Sequence, residues 1–478
     1  MAVDRSTLPG VGPDPSFAFP AIVHHTLPNG LRVRVVEHRS VPVVTLVLQV
    51  AGGSGADPAG QEGLAAAVAD MVDEGTGSLS AIDVSDALAR IGADYDLDVG
   101  SDATTFALTT VTRFADRGAS LLASLVTTPS MREADFERVR QLRVDRLRQL
   151  KDLAPAVAER TFLNLMYGTH PYGHLAIGGE ESLRRLTLAD VVGMHDASYQ
   201  PASATLVIVG SMPEADLIDT ASRAFGSWSA SSPSERGSGP VSTLSLDDRG
   251  TSGIRPAGSD DRADSTAFPS TPRLAIVPRE SAAQSELRIG HLSARRDTPD
   301  YPALLVMNAV LGGQFVSRVN LKLREEKGYT YGARTGFDWH KGLSPFALQA
   351  SVHTAATADA IRDSLSELSA MRGSRPPTDD ELALAKASLT RGYPRNFETA
   401  QQVARAVAQL ALYNLPDSYF AEFIPKANSV TRDEVVAAAA RYLDPSRLTT
   451  LIVGDHAAIA ESLAALELGP PQVLPIPV

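Results

Sequence analysis

Two histidines four residues apart are of a residue type and spacing that could bind a metal ion. His170 and His174 lie in the segment MYGTHPYGH, and two imidazoles at this spacing on a helix can bind one metal ion. A proline and a glycine lie between them, which predicts a loop and argues against a shared helical face. His24 and His25 precede a Pro-Asn-Gly turn and are expected at the surface. The sequence therefore predicts no metal ion in this chain.

Other signatures of catalysis are missing. The sequence has no cysteine, which excludes thiolate metal sites, disulfides and a cysteine nucleophile. It also lacks a G-x-S-x-G motif, a phosphate-binding loop and a dinucleotide fingerprint after a strand.

Arg324 and Tyr331, seven residues apart, carry a guanidinium and a phenol, which are both hydrogen-bond donors. Taken from the residues alone, the favoured interpretation is that Arg324 pairs with Glu325 or Glu326 while Tyr331 packs in a strand.

The elements that carry these residues alternate between strands and helices. Apolar runs within residues 31–53 and at 104–111 predict strands, and residues 63–75, 80–92 and 132–151 predict helices. Some of the strands are adjacent in sequence. This pattern indicates an α+β fold or a mixed α/β sandwich.

A change of composition divides the chain. Residues 229–270 are rich in Ser, Gly, Pro, Asp and Arg, and they have too few apolar side chains to offset the entropy of ordering. They predict a flexible linker between an N-terminal domain, 21–228, and a C-terminal domain, 271–468. Residues 1–20 and 469–478 are expected to be loosely held ends.

The two domains share a repeat. Residues 188–210 and 431–455 both predict a helix, a turn and a buried strand that ends in glycine. The first two matched positions are 243 residues apart (433−190, 442−199) and the last two are 244 apart (445−201, 454−210). This predicts one inserted residue between the tyrosine and the proline. Duplication is favoured over chance similarity. The matched pairs are Asp190 with Asp433, Tyr199 with Tyr442, Pro201 with Pro445 and Gly210 with Gly454.

The charge balance narrows the classes of partner. The chain has 44 Lys and Arg residues against 56 Asp and Glu, a net charge of −12. Sequence-independent binding to nucleic acid requires a basic surface, so no nucleic-acid partner is expected. No apolar stretch reaches the ~18 residues of a membrane span, and the first residues do not read as a signal peptide. The prediction is a cytoplasmic protein without a membrane partner.

Residues 61–76, QEGLAAAVADMVDEGT, follow a strand and a glycine-rich loop and open a helix. Together with the two related domains, this segment resembles the insulinase/pitrilysin-type zinc peptidases, particularly their mitochondrial-processing-peptidase-like branch. In that family the helix commonly reads G-L-A-H-x-x-E-H-M, with G-T a few residues later. The resemblance implies two homologous α/β-sandwich halves arranged as a clam shell. The positions that keep the family frame are Gly63, Leu64, Ala65, Met71, Gly75 and Thr76.

The four positions that hold zinc or deprotonate its bound water in the family are all substituted. The two histidines and the catalytic glutamate fall on Ala66, Asp70 and Ala69. The third ligand, a glutamate about 76 residues beyond the second histidine in the family, falls on Arg146 (146−70). Alanine offers no ligand atom and arginine has no free lone pair, so peptide hydrolysis by the family mechanism is not expected. Because these positions converge in the family, we expect Asp70 and Arg146 to form an ion pair in place of the metal, the alternative being two separate solvated charges.

The second half keeps its family pattern. Residues 311–331 match L-G-G-x-x-x-S-R-L followed by R-E-x-x-G-x-x-Y, except that Val319 replaces the usual leucine. In this branch the arginine and tyrosine seven residues apart serve the substrate and the transition state, and here they are Arg324 and Tyr331.

The resemblance thus implies a non-catalytic subunit of a heterodimeric zinc metallopeptidase. Arg324 and Tyr331 would serve a peptide substrate, and zinc is expected in a paralogous partner subunit. Each partner's halves would enclose a chamber, with the linker as a hinge, and the peptide would add a strand to a sheet edge. The alternative is a structural or peptide-binding homologue with no role in proteolysis. A homodimer also remains open.

Overall fold

The computed structural model describes residues 17–229 and 271–477. The predicted linker, apart from Ser229, lies between these two parts and outside the described residues. Each part contains one six-stranded sheet, called sheet 1 and sheet 2 here, with helices packed against it. The architecture is the predicted α+β arrangement of two similar halves.

The first half contains eight strands and eight helices in its described residues. The strands are β1 Val23–Thr26, β2 Arg32–Glu37, β3 Val43–Ala51, β4 Gly75–Thr76, β5 Leu79–Ser80, β6 Asp94–Val99, β7 Ala103–Val111 and β8 Ala204–Gly210. The helices are α1 Leu64–Val72, α2 Ala81–Arg90, α3 Ala115–Thr127, α4 Glu133–Lys151, α5 Ala154–Tyr167, α6 Glu180–Arg185, α7 Leu188–Ser198 and α8 Glu214–Phe225. These elements agree with the predicted strands and helices to within a few residues.

The second half has a similar succession in its described residues. The strands are β9 Leu274–Pro278, β10 Gln284–Leu292, β11 Ala333–Phe337, β12 Pro345–His353, β13 Thr449–Gly454 and β14 Gln472–Val473. The helices are α9 Tyr301–Leu311, α10 Arg318–Asn320, α11 Thr357–Met371, α12 Asp379–Thr390, α13 Ala400–Leu412, α14 Tyr419–Ser429, α15 Arg432–Tyr442 and α16 His456–Ala464. Helix α10 continues as a π-helical segment, Leu321–Glu326.

The two sheets have the same topology over five of their six strands. Sheet 1 has the order β6-β7-β3-β8-β2-β1, and sheet 2 has the order β11-β12-β10-β13-β9-β14. Each sheet has one parallel pair in these five strands, β2 with β8 in sheet 1 and β9 with β13 in sheet 2. The other three pairings are antiparallel: β8–β3, β3–β7 and β7–β6 in sheet 1, and β13–β10, β10–β12 and β12–β11 in sheet 2. The outermost pairs differ, since β1 is antiparallel to β2 whereas β14 is parallel to β9. The shared topology supports a duplication.

The repeat has a constant offset, which corrects one detail of the prediction. Helices α7 and α15 both have eleven residues and begin with capping boxes, at Thr187 and Thr431. The helices, their caps and the glycines that end β8 and β13 are all 244 residues apart (431−187, 454−210). The predicted insertion after Tyr199 is therefore wrong. Matching Tyr199 to Tyr442 by residue type misplaced the register, because the structural equivalent of Tyr199 is Leu443, the C-cap of α15.

One helix of each half packs against the sheet of the other half. Helix α13 of the second half covers one face of sheet 1, where Val403 and Val407 pack with Val47, Val207 and Val209.

Helix α5 of the first half covers the corresponding face of sheet 2. There Val157 and Phe162 pack with Val277, Leu451 and Val453. The two halves are therefore interlocked by reciprocal burial of apolar surface.

The ends are held more firmly than their composition predicted. Phe17 and Phe19 pack against Phe397, with ring centroids 5.1 and 5.2 Å apart. Gln472 and Val473 form β14, and the next residue, Leu474, donates its N–H to Ile276 O at 2.8 Å. Within the ends expected to be loosely held, 1–20 and 469–478, these described residues thus make specific apolar and backbone contacts with the two halves.

No membrane-spanning helix is found in the part of the chain that the structure describes. None of its helices combines the length and the apolar composition needed to cross a bilayer.

Candidate functional site

Helix α1 carries three of the four substituted positions, two that match the family's zinc-binding histidines and one that matches its catalytic glutamate. It begins after Gly63, which has φ = +98° and lies so close to Gly178 that a Cβ atom would be 2.9 Å from that residue's Cα. This close backbone approach accounts for the glycine kept in the family frame. Ala66 and Ala69 are buried, and Asp70 is partly exposed at the end of the same turn.

Asp70 pairs with Arg143 of α4 and not with Arg146. An Asp70 Oδ2 atom lies 2.6 Å from Nη1 of Arg143. The other terminal nitrogen of Arg143, Nη2, donates to the carbonyl of Ala176 at 3.0 Å. Arg146 is exposed and donates to Gln149 at 3.3 Å.

The predicted Asp70–Arg146 pair is therefore wrong, although an aspartate–arginine tie between the two helices exists. The count of 76 residues from Asp70 gives a distance along the sequence, but it does not say which residues of α4 face α1. Arg143 lies on the same stripe of α4 as the buried Phe136, Val139 and Leu147, at the three- and four-residue spacings of one helical face.

These residues do not fit zinc. Ala66 and Ala69 provide no ligand atom, and the carboxylate of Asp70 is already engaged by a guanidinium. Across residues 17–229 and 271–477, no group of three or more His, Asp or Glu side chains is placed to hold a metal ion. Zinc sites of catalysts use three protein ligands and an open position, so no hydrolytic step can be derived for this helix.

Two carboxyl groups next to α1, the buried Asp57 and the partly buried Asp73, were not found from the sequence. Asp57 accepts the N–H groups of Gly63 and Ala65 at 2.7 and 2.6 Å, and it holds the start of α1. Asp73 accepts a hydrogen bond of 2.5 Å from the hydroxyl of Tyr95 on β6. Burial raises the pKa of Asp57 and of Asp73 to about 6 in each case. The partner of Asp73, Tyr95, lies 22 residues away on β6, so no local motif marks that carboxyl group.

The histidines are accounted for by loop contacts. His170 and His174 flank a single 3-10 turn, Pro171–Gly173, as the prediction of a loop implies. His170 Nδ1 accepts the N–H of Tyr172 at 3.1 Å. Nε2 of His174 lies 3.8 Å from the carboxylate of Asp57. His24, on β1, is exposed and lies 2.8 Å from Asp417.

The glycines of the second-half motif hold a tight turn next to β11. A Cβ atom on Gly312 would lie 2.5 Å from Thr335 Oγ1, and one on Gly313 would lie 2.5 Å from the side chain of Asn308. Asn320 donates to Phe315 O and accepts the N–H of Ala333, at 2.6 and 3.0 Å. These contacts fix the loop that precedes Arg324.

Arg324 and Tyr331 lie on either side of a bend between the π-helical segment and β11. The guanidinium carbon of Arg324 lies 4.2 Å from the centre of the Phe315 ring, and its Nη1 lies 3.5 Å from Glu325. Nη1 is buried without a hydrogen-bond partner. Tyr331 is 88% exposed and lies just before β11. Neither side chain is hydrogen-bonded to the other in the described structure.

Comparison with known proteins identifies the fold and the family. A model described as insulinase (peptidase family M16) matches residues 32–178, and one described as peptidase M16 inactive domain matches residues 185–389. A crystal structure titled as a peptidase M16 inactive domain from Pseudomonas fluorescens has a TM-score of 0.78 at 22% identity, covering 91% of this chain and 98% of the other.

Curated relatives point the same way. An uncharacterized zinc protease of Mycobacterium tuberculosis is 23% identical over 431 residues, which are 90% of this chain and 92% of the relative. A probable mitochondrial-processing peptidase subunit beta of Schizosaccharomyces pombe is 24% identical over 209 residues, 44% of this chain and 46% of that protein. The chain belongs to the insulinase-type M16 peptidase family and lacks the family's H-x-x-E-H motif.

Proposed function

We propose that this chain is the non-catalytic subunit of a heterodimeric zinc metallopeptidase. In this proposal Arg324 and Tyr331 bind the peptide substrate and the transition state in a chamber shared with a paralogous subunit that carries the zinc. Support comes from the absence of metal ligands at the matched positions of α1 and α4, combined with similarity to proteins named as a zinc protease and as a probable processing-peptidase subunit.

The observation that carries the proposal is the exposure of Tyr331. Its side chain is 88% exposed, and its hydroxyl has no hydrogen bond within the described chain. The alternative derived from the residues alone expected this side chain to pack in a strand. Nearby, Nη1 of Arg324 is also without a hydrogen-bond partner. The exposed hydroxyl of Tyr331 is available to a developing oxyanion, whereas Nη1 of Arg324 is buried 3.5 Å from Glu325 and must leave that contact to donate.

The sheet edges favour one place for an added strand. The edge of β11 is covered, since Ala333 and Thr335 donate their N–H groups to Asn320 and Gly312, both at 3.0 Å. By contrast, none of the described residues is hydrogen-bonded to the backbone on the outer edge of β6. An open edge can take an extended peptide through main-chain hydrogen bonds. We therefore propose that the substrate adds to β6.

The alternative is a structural or peptide-binding homologue with no role in proteolysis. The contacts of Arg324 with Phe315 and Glu325 favour it, because they hold the guanidinium within its own chain.

The test uses the complex reconstituted with the zinc-bearing subunit. Arg324→Ala and Tyr331→Phe are each expected to lower the turnover of an unstructured peptide roughly 100- to 1000-fold, the range for loss of one transition-state donor. Assembly, measured by size-exclusion chromatography, should persist. Arg362→Ala is the matched control, since Arg362 pairs with Asp359 on the surface of α11. Unchanged turnover in both test variants would support the alternative, and loss of assembly would assign the pair a structural role.

A further inference from the structure

The turn between β11 and β12, residues 338–344, is held by side chains of the other half of the chain. The hydroxyl of Tyr167, the last residue of α5, donates to Leu343 O at 2.6 Å. The carboxylate of Asp102 accepts the N–H of Lys341 at 2.9 Å. Two main-chain groups of this turn therefore have their hydrogen-bond partners in the first half.

The contact between Asp102 and Lys341 joins corresponding turns of the two halves. Asp102 lies in the turn between β6 and β7. The hairpin β6–β7 has the same place in sheet 1 as the hairpin β11–β12 has in sheet 2. The outer hairpins of the two sheets thus meet at their turns.

Tyr172, between the two histidines of MYGTHPYGH, completes this contact. Its hydroxyl also donates to the carboxylate of Asp102. Its ring lies between glycines of the two halves, since a Cβ atom on Gly55 would be 3.0 Å from one edge of the ring and one on Gly342 would be 3.1 Å from the other. The buried ring of His340 lies 4.8 Å away, centre to centre. Both glycines are thus needed for the ring to fit between the halves.

Strand β11 connects this turn to the bend that carries Tyr331. Tyr331 lies two residues before Ala333, the first residue of β11, and the strand ends at Phe337, next to the turn. All five residues of β11 pair with β12. An extended, paired strand keeps its length, so a displacement of the turn is passed on to the bend.

We propose that Asp102 and Tyr172 are positioning residues that hold the turn 338–344 against the first half and thereby fix where Tyr331 lies. The apolar contacts of α5 and α13 hold the halves together, but burial of apolar surface has no preferred direction. Hydrogen bonds to a carboxylate are directional and strong. The expected effect on turnover rests on the function proposed above, whereas the effect on the hairpin does not.

Amide hydrogen exchange of this chain alone tests the contact. Asp102→Ala removes the acceptor of Lys341 and Tyr172, and peptides that cover residues 333–344 are expected to exchange about tenfold faster. Tyr172→Phe keeps the ring and removes one donor, so it should give a smaller acceleration in the same peptides. Asp216→Ala, on the exposed face of α8, is the control and should leave them unchanged. Exchange of residues 333–344 at the unsubstituted rate in a folded Asp102→Ala chain would overturn the proposal.

A double-mutant cycle in the reconstituted complex separates positioning from general stability. Asp102→Ala is expected to lower kcat about tenfold and to leave KM within about twofold, because a donor is displaced while the other substrate contacts remain. In a Tyr331→Phe background it should lower kcat by less than about twofold, because the displaced hydroxyl is already absent. Asp102→Asn retains one acceptor oxygen and should restore most of the loss. A tenfold loss in both backgrounds would overturn the proposal and assign Asp102 a purely structural role.

The two proposals can fail separately. If Tyr331→Phe leaves turnover unchanged while Asp102→Ala still speeds exchange at residues 333–344, the helper-subunit function fails and the hold on the turn stands. If Tyr331→Phe lowers turnover while exchange at residues 333–344 does not respond to Asp102→Ala, the positioning role fails and the helper-subunit function stands.

Discussion

Asp70 and Arg143 join α1 to α4 at the place where the family's peptidases hold zinc. Their charged atoms are 2.6 Å apart, and the same guanidinium also reaches the carbonyl of Ala176 at 3.0 Å. One arginine side chain, 12% exposed, thus connects two helices and the loop after His174. The ion pair therefore ties α1 to α4 through side chains of this chain alone.

Removing this arginine should destabilise the fold. Arg143→Met keeps the length and apolar stem but leaves Asp70 and the Ala176 carbonyl without their donor. Since Asp70 is partly exposed, we expect the free energy of unfolding to fall by about 1–2 kcal/mol, measured by urea denaturation. Arg146→Met, three residues further along α4 and exposed, is the control and should change it by less than ~0.5 kcal/mol. Equal losses in the two variants would contradict the account.

The same geometry decides which substitutions restore a metal site. Ala66→His, Ala69→Glu and Asp70→His together with Arg143→Glu should give a chain that retains zinc through gel filtration. The same set with Arg146→Glu should bind zinc at least tenfold more weakly, because position 146 points away from α1. Metal content by atomic absorption distinguishes the two sets. Tighter binding by the Arg146→Glu set would show that Arg143 does not mark the third ligand position.

Asp73 predicts a pH dependence of stability. Burial raises its pKa to about 6 in the folded chain, helped by the nearby charges of Asp70 and Glu74, whereas an unfolded aspartate titrates near ~3.9. The folded state therefore binds this proton more tightly, and this group's contribution to the free energy of unfolding falls as pH rises from about 4 to about 6.

Asp73→Asn should remove that cost and preserve the hydrogen bond from Tyr95. We expect a gain of about 1–2 kcal/mol at pH 7.5 that shrinks toward zero near pH 4, measured by urea denaturation across this range. Asp216→Asn serves as the control for a simple change of net charge. A gain that does not depend on pH would assign the effect to packing.

Helices α5 and α13 each pack against the sheet of the other half. We therefore expect the two halves to stay associated after the chain between them is cut. A protease site inserted between residues 230 and 270 should be cleavable without changing the native elution volume in size-exclusion chromatography. Val403→Asp with Val407→Asp places charges in the apolar contact of α13 with sheet 1 and should cause the cleaved halves to separate. Separation of the unsubstituted halves would contradict the interlocked arrangement.

The sequence predicted the parts of the fold that depend on local pattern. Apolar runs such as VVTLVLQVA gave strand β3, and the periodicity of residues 132–151 gave α4, because burial on one face leaves a regular spacing. The duplicated topology was also visible, since both copies keep the helix, turn and glycine-ended strand. The frame of the degenerate site was readable because Gly63 and Gly312 are fixed by backbone contacts that exclude a side chain.

What the sequence could not give depends on three-dimensional placement. A count of residues located the third ligand position on Arg146, but only the packed face of α4 identifies Arg143 as the partner of Asp70. The packing of α5 and α13 on the sheet of the opposite half could not be predicted either, because the sequence of an amphipathic helix does not show which sheet it covers.

Peptidase activity and zinc content, measured together, test the central claim most directly. An unstructured peptide is incubated with this chain alone, with a zinc-bearing paralogous subunit alone, and with the two mixed. The account predicts turnover only in the mixture, with zinc confined to the paralogue, because Ala66, Ala69 and the paired Asp70 provide no metal site here. Turnover and stoichiometric zinc in this chain alone would contradict it.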